Sequence, residues 1–269
     1  MCNIKILVCC HKTAKMPKNE IYMPIHVGKA LSSEDLHIQG DDTGDNISMK
    51  NKTYCELTGM YWAWKNLKNV DYIGLCHYRR FFDFSSSRIF EKQISEDKII
   101  DLTKSFKSSL LCSADMILSK KIVYPFSLKI QYSVWHYSED YWTLKDIIKE
   151  LYPSYLEDFT FIFEKNNKIS PYNMFVTRWN IFDDYCNWLF PILKTAEKRI
   201  NLSNYSTKQA RIFGYFAERL LNVYVHKNHL KIKYVPILFV GEKDQNSFFK
   251  DIKYRIKCEI SFLCQKKWC

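Results

Sequence analysis

The stretch Asp71-Tyr72-Ile73-Gly74-Leu75-Cys76-His77-Tyr78-Arg79-Arg80-Phe81-Phe82 decides how this chain is read. A short apolar run ends abruptly in an imidazole, a phenol and two adjacent guanidiniums. The run over residues 72–76 has the length and composition of a strand buried on both faces, as in a parallel sheet. Ligands of open α/β sheets bind beyond the carboxyl ends of the strands, and paired guanidiniums form the fork that suits phosphate oxygens. The stretch therefore points to an α/β fold with a phosphorylated ligand. Only eight arginines occur in the chain, so two side by side at a strand exit carry more weight than the overall charge.

With 269 residues, 47% of them hydrophobic, the chain can bury the core of one large α/β domain. The formal charge of +11 comes almost entirely from lysine. That charge is dispersed, and the aromatics fall at core spacing, so nucleic acid is not the expected partner. The ten cysteines sit mostly inside apolar runs, without C-x-x-C or zinc-like spacing to histidine, and read as small buried hydrophobes in a reducing cytoplasm. Lys5 interrupts the first apolar stretch, which is too short for a signal sequence, and no window suits a membrane span. A cytoplasmic location is expected.

Residues 4–10 predict a first buried strand with His11-Lys12 at its exit. Residues 21–31 read as a loop and short helix, 36–39 as a brief strand, and 41–46 as a dense turn. Ser48 is placed to cap a helix over 50–66. That helix carries Tyr54, Leu57, Thr58, Tyr61, Trp62 and Lys65 on one face, and Lys52 and Glu56 on another. Further helices are predicted over 96–111, 131–151, 183–199 and 208–226. Strands are predicted over 114–119 and 232–240, with a strand pair over 159–163 and 172–177 around the turn Asn166-Asn167-Lys168. Strands alternating with helices argue for a largely parallel sheet. Neither G-x-G-x-x-G nor G-x-x-x-x-G-K-[ST] occurs, which argues against the dinucleotide and P-loop readings.

The expected organisation is one catalytic domain over residues 1–245 and a basic amphipathic segment over 246–269. In that segment Phe249, Ile252, Ile256, Ile260, Phe262 and Leu263 alternate with Lys250, Lys253, Arg255, Lys257, Lys266 and Lys267. It suits either an anionic bilayer surface or the closing of the core with its lysine face wet.

Four polar clusters stand at strand exits and loops: His11-Lys12, residues 41–46, His77 to Arg80, and His136 with Glu139-Asp140. A nucleoside diphosphate needs about two positive charges, and an attacking hydroxyl needs a carboxylate or imidazole in hydrogen-bond reach. Sugar-nucleotide transferases often meet the first demand with a divalent metal on an Asp-x-Asp. Here Arg79 and Arg80 stand at the strand end instead, suited to neutralise the leaving diphosphate without metal. Asp41, Asp42 and Asp115 are the competing ligands for Mg or Mn. His136 and Asp140, four apart on a helix, are the first candidates for the proton acceptor, with Glu139 second. His77 can contact phosphate or acceptor, or pack as a core histidine. Asp45, Asn46 and Ser48 suit uridine or ribose, or a helix cap. Asn173 suits a sugar hydroxyl, Arg211 a phosphate, and Glu218 and Arg219 an ion pair on a helix surface.

Several segments together resemble one family. They are Gly44 through Ser48, then Asn51, Tyr54-Cys55-Glu56-Leu57-Thr58, Tyr61-Trp62-Ala63-Trp64-Lys65-Asn66 and Tyr72 through Arg80. Val8 to Lys12, Tyr22-Met23-Pro24-Ile25, Tyr172-Asn173-Met174-Phe175 and Gly214 to Leu221 fit as well. The family is a group of bacterial polysaccharide-synthesis glycosyltransferases long classed as a domain of unknown function, some of them galactofuranosyltransferases of O-antigen and capsule assembly. The resemblance implies a glycosyltransferase A-type, Rossmann-like α/β fold with added C-terminal helices. It also implies a UDP-sugar donor, with UDP-galactofuranose first, and a lipid-linked glycan acceptor at the inner membrane face. Transfer would be inverting, with one general base and no covalent intermediate. Lys65 and Tyr78 join the donor-binding candidates through their place in the matching block. A UDP-pyranose donor, a metal-dependent transferase and a non-enzymatic basic binding module are the alternatives.

Overall fold

Residues 4–10 carry apolar side chains on both faces, and they form the strand β1 (Ile4–Cys10) at the heart of the sheet. The structure is a computed structural model and describes residues 2–85, 91–99, 112–241 and 248–265. After β1 come β2 (Tyr22–His26), β3 (Gln39–Gly40), α1 (Asn51–Tyr54), α2 (Leu57–Asn66), β4 (Tyr72–His77), β5 (Arg80–Phe82) and β6 (Lys92–Ile94). The middle of the chain forms β7 (Met116–Ser119), β8 (Ile122–Val123), α3 (Leu128–Trp135), α4 (Ser138–Leu151), α5 (Leu156–Glu164), β9 (Lys168–Ile169) and β10 (Phe175–Arg178). The last elements are α6 (Trp179–Arg199), α7 (Ile212–Lys227), β11 (Ile232–Val235), β12 (Ile237–Val240) and α8 (Phe248–Gln265).

The main sheet runs β11-β7-β10-β4-β1-β2-β3, parallel except for β10, which is antiparallel to both its neighbours. β5, β12 and β6 continue from the end of β4 as a smaller extension. The two-residue period of a strand divides the core. Leu7, Cys9 and Leu75 face the helical layer of α2 and α4–α7, whereas Ile6, Val8, Cys10 and Cys76 face the β5–β12 extension. Gly74 sits where β4 and β10 meet: a Cβ there would come within 2.8 Å of the Phe175 carbonyl oxygen.

Several elements differ from the sequence reading. Residues 22–26 pair in parallel with β1, their backbone satisfied by a neighbour that local pattern does not reveal. The helix over 50–66 is broken at Cys55, whose φ of 54° and ψ of −131° no helix contains. The helix over 131–151 is two, separated at His136-Tyr137, and Pro236 likewise divides 232–240. Residues 159–163 lie in α5, their aromatics packed in the helical core, and β10 pairs with β4 and β7 instead. Ser48 caps no helix; its hydroxyl donates to Asp41. The predicted helix over 96–111 falls mostly outside the described residues, with 96–99 a short 3-10 turn. α8 rests against β8, with Cys258 and Phe262 buried, and Lys168 reaches Glu259 at 2.6 Å.

Candidate active site

Because β1 and β4 are parallel, with Cys9 opposite His77, their carboxyl ends deliver two of the polar clusters to one edge. His11 and Tyr78 meet edge to face at 5.1 Å, and Lys12 and Arg79 lie within 5.9 and 5.5 Å of the Tyr78 ring. A cleft of about 680 Å³ opens there. Arg80 and Glu56 stand in its wall together with Arg79, Arg211, Asn173 and Glu218.

Arg80 is half-buried, its guanidinium held over the rings of Tyr172 at 4.4 Å and Phe239 at 5.2 Å. Its Nε is buried without a hydrogen-bond partner. Among the described residues the arginines paired with carboxylates are Arg178, Arg199 and Arg219, so Arg79 and Arg80 hold no such partner within 4 Å. Glu91 supplies a more distant negative charge: it accepts from the Tyr172 hydroxyl and feels Arg80. The third guanidinium, Arg211, donates from Nε to Cys55 Sγ at 3.1 Å just before α7.

β10 runs against its neighbours, so its beginning, not its end, lies at this edge. The two residues before Met174 are both left-handed, with φ of 74° at Tyr172 and 53° at Asn173. They tie the cleft together. The Tyr172 N–H donates to Glu218 at 2.5 Å, and its carbonyl receives His77 Nε2 at 2.8 Å. Asn173 donates through Nδ2 to Glu56 Oε1 at 2.6 Å and to the Gly214 carbonyl at 3.1 Å. Its own Oδ1 is buried and unpartnered, in a residue only 3% exposed. Such an acceptor carries a desolvation cost that a ligand hydroxyl relieves.

A carbonyl can only accept, so His77 carries its proton on Nε2 and leaves Nδ1 as acceptor. Burial holds the His77 pKa below the ordinary imidazole value, and Glu56 partly offsets it. His11 is also lowered, by burial and then by Lys12, Arg211 and Arg79. Both rings are neutral near pH 7, which leaves the permanent cations Arg79, Arg80, Arg211 and Lys52 facing Glu56 and Glu218. One Glu56 oxygen is held by Asn173, and the other has no donor among the described residues. This arrangement can receive an anion at the guanidiniums and a proton at the carboxylate.

The structure brings His11, His77, Tyr78, Arg79, Arg80, Asn173 and the outlying candidate Arg211 to the cleft. Lys12 lies beside it against Tyr78. Asp45, Asn46, Ser48 and Lys65 do not line it. Asp45 accepts from Tyr61, Asn46 closes the turn onto Asp42 and Gly44, and Lys65 lies 3.3 Å over the Trp64 ring. The acceptor candidates on α4 are also elsewhere. Asp140 is 3% exposed and both its oxygens receive tyrosine hydroxyls, from Tyr132 at 3.4 Å and Tyr205 at 2.6 Å. His136 hydrogen-bonds Gln209 at 2.9 Å and packs at a tilt on Tyr215 at 4.2 Å, one layer behind the cleft wall. Burial lowers its pKa to about 4. Glu139 lies on the exposed first turn of α4. Arg219 does pair with Glu218, but it is buried and also donates to Gln131, so it is not a surface pair.

Placing Glu56 and Lys52 four apart on one helix face holds only if the helix is continuous. The break at Cys55 turns Glu56 into the cleft, where it lines the wall together with Gly214. An acid inside a tyrosine- and leucine-rich block was the one available signal.

Two of the metal ligands read from sequence, Asp41 and Asp115, have other duties. Asp41 is fully buried and accepts from the Gly28 and Lys29 N–H groups and from Ser48. Asp115 binds Arg178 and the Lys231 N–H at the opposite edge of the sheet. Among the described residues no three His, Cys, Asp or Glu side chains converge as a metal set.

A family model described as a domain of unknown function (DUF4422) matches residues 5–229. A solved structure described as the apo form of the bifunctional glycosyltransferase WbbM superposes with a TM-score of 0.81 at 33% identity, covering 92% of this chain and 48% of that one. This chain spans about half the length of that protein. No curated protein matches it. The mixed α/β architecture with a mostly parallel sheet agrees with the likeness to a glycosyltransferase.

Proposed function

The chain belongs to the DUF4422 family, and on that premise we propose that it transfers a sugar from a nucleoside-diphosphate donor to a glycan hydroxyl. One observation carries the reading: three guanidiniums that have no carboxylate partner within 4 Å among the described residues share a cleft with the Glu56 carboxylate at the carboxyl edge of β1 and β4. Arg79, Arg80 and Arg211 receive the diphosphate and stabilise it as it departs, the task a divalent ion performs elsewhere. Asn173 Oδ1 takes a sugar hydroxyl. Glu56 accepts the proton of the attacking hydroxyl in a single inverting displacement. A β-phosphate oxygen leaves with the bonding pair as the new glycosidic bond forms.

Uridine as the base, galactofuranose as the sugar and a lipid-linked O-antigen or capsule glycan as the acceptor complete the proposal, supported by the family resemblance. No helix of the described residues is long and apolar enough to cross a membrane. Contact with a membrane-borne acceptor at the cytoplasmic face is thus peripheral in this reading, and α8 turns Ile256, Ile260 and Leu263 outward beside Lys253 and Lys257. The test is UDP release from a panel of UDP-furanoses and UDP-pyranoses, with lipid-linked acceptor, in the presence and absence of EDTA. Chelator-resistant turnover with one furanose donor is expected. Turnover that requires added Mg or Mn would return the diphosphate to a metal, and no turnover with any UDP-sugar would sink the donor assignment.

A further inference from the structure

One group of exposed apolar side chains has no role in the cleft. Ile130, Val134 and Trp135 on α3, Tyr137 in the α3–α4 turn and Trp142 on α4 are all exposed, Val134 by 62% and Trp135 by 57%. Ile130 and Val134 stand one helical turn apart, so they form a continuous outward stripe. Lysines surround the group: Lys129 lies 4.2 Å over the Trp142 ring, Lys145 lies 5.6 Å from it, and Lys208 lies 5.5 Å over Trp135. Lys145 pairs with Glu164, but Lys129 and Lys208 hold no carboxylate within 4 Å among the described residues. The face adjoins the cleft. The Trp135 carbonyl accepts from Gln209, which lies between the cleft residues Thr207 and Arg211.

We infer that this α3–α4 face seats the protein on an anionic phospholipid bilayer. Exposed tryptophan and tyrosine flanked by lysine is the composition that partitions to the headgroup region, with aliphatic side chains dipping below it and ammonium groups meeting lipid phosphates. A glycan platform fits less well. The tryptophan faces on which sugars would stack already carry lysines, and Tyr137 packs on Tyr205 at 4.7 Å. Two aliphatic side chains offer a sugar nothing to bond. The inference deepens the reading of a membrane-borne acceptor, because a face beside Thr207 and Arg211 sets the cleft mouth near the lipid surface. It is separate from the α8 contact.

The experiment is co-sedimentation of the full chain with vesicles, without any sugar nucleotide, so that its outcome is independent of transferase activity. Vesicles of phosphatidylglycerol mixed with phosphatidylcholine are compared with vesicles of phosphatidylcholine alone. Binding to the anionic vesicles is expected, reduced about tenfold by Val134→Glu with Trp135→Glu, and reduced by Lys129→Glu with Lys208→Glu in a salt-sensitive way. Val134, Trp135 and Lys208 are exposed and Lys129 is half-buried, and unchanged thermal melting verifies that the variants fold. Binding that survives both pairs but is lost in Ile256→Glu with Ile260→Glu would overturn the assignment in favour of α8. No vesicle binding, or self-association abolished by Val134→Glu, would overturn it in favour of a protein partner.

Discussion

Replacing Arg80 with methionine should weaken UDP binding about 30- to 150-fold, whereas replacing Arg79 should weaken it only about two- to fivefold. The difference follows from their surroundings. Arg80 is half-buried, its plane is set by Tyr172 and Phe239, and its Nε has no partner before ligand arrives. A phosphate oxygen reaching it gains a charge-assisted hydrogen bond worth about 1.5–3 kcal/mol and removes part of the cost of an unpaired buried donor. The aromatic clamp leaves little side-chain freedom to lose, so a net of about 2–3 kcal/mol is expected. Arg79 is exposed and its interaction is screened, which leaves about 0.5–1 kcal/mol. Methionine retains the stem volume against the rings. Titration calorimetry with UDP and EDTA on wild type and both variants measures the contrast. Equal losses, or a larger loss at Arg79, would refute the argument that burial and preorganisation distinguish the two.

Glu56→Gln keeps an acceptor for Asn173 but cannot take a proton, so kcat should fall about 10²- to 10⁴-fold with UDP affinity nearly unchanged. Turnover close to wild type would move the base to His77 or Glu218. Gly74→Ala places a methyl 2.8 Å from the Phe175 carbonyl and 2.9 Å from a Val176 methyl. It should cost about 2–3 kcal/mol, and a melting temperature within a degree of wild type would contradict it. His136 has its pKa lowered to about 4 by burial, so between the unfolded value near 6.5 and that point the unfolded chain binds a proton the native state refuses. Stability from this group is therefore present at neutral pH and lost as pH falls. Allowing for its partial exposure, the loss by pH 4.5 is about 1–2 kcal/mol. His136→Gln should lose less stability than wild type between pH 7 and 4.5 in urea titrations, and parallel losses would exclude the mechanism.

The cleft edge was legible because β1 and β4 are unbroken apolar runs ending in polar side chains, a pattern that survives without knowledge of neighbours. Residues 72–80 thus gave both a strand and four cleft residues. β2 was missed since Pro24 and His26 obscure its period, and its pairing with β1 is non-local. The proton-acceptor candidates over 136–140 fall away from the cleft for a similar reason. His136 and Asp140 share a helix face only if residues 131–151 form one helix, and the extended backbone at His136 and Tyr137 separates them. Glu56 was hidden by the converse error, a left-handed turn at Cys55 inside an apparently continuous helix. Periodicity reads runs well and single-residue breaks poorly.

The reversed course of β10 bears on synthesis of the chain. β4 has β1 on one side from the start but finds its second partner only when Phe175 emerges, about 100 residues after Leu75, which at ribosomal rates is roughly 5–20 seconds later. Throughout that interval one side of the central strand is a bare template for a stray neighbour. Nascent chains stalled between α3 and α5 should accordingly be the species that chaperones hold and that aggregates capture.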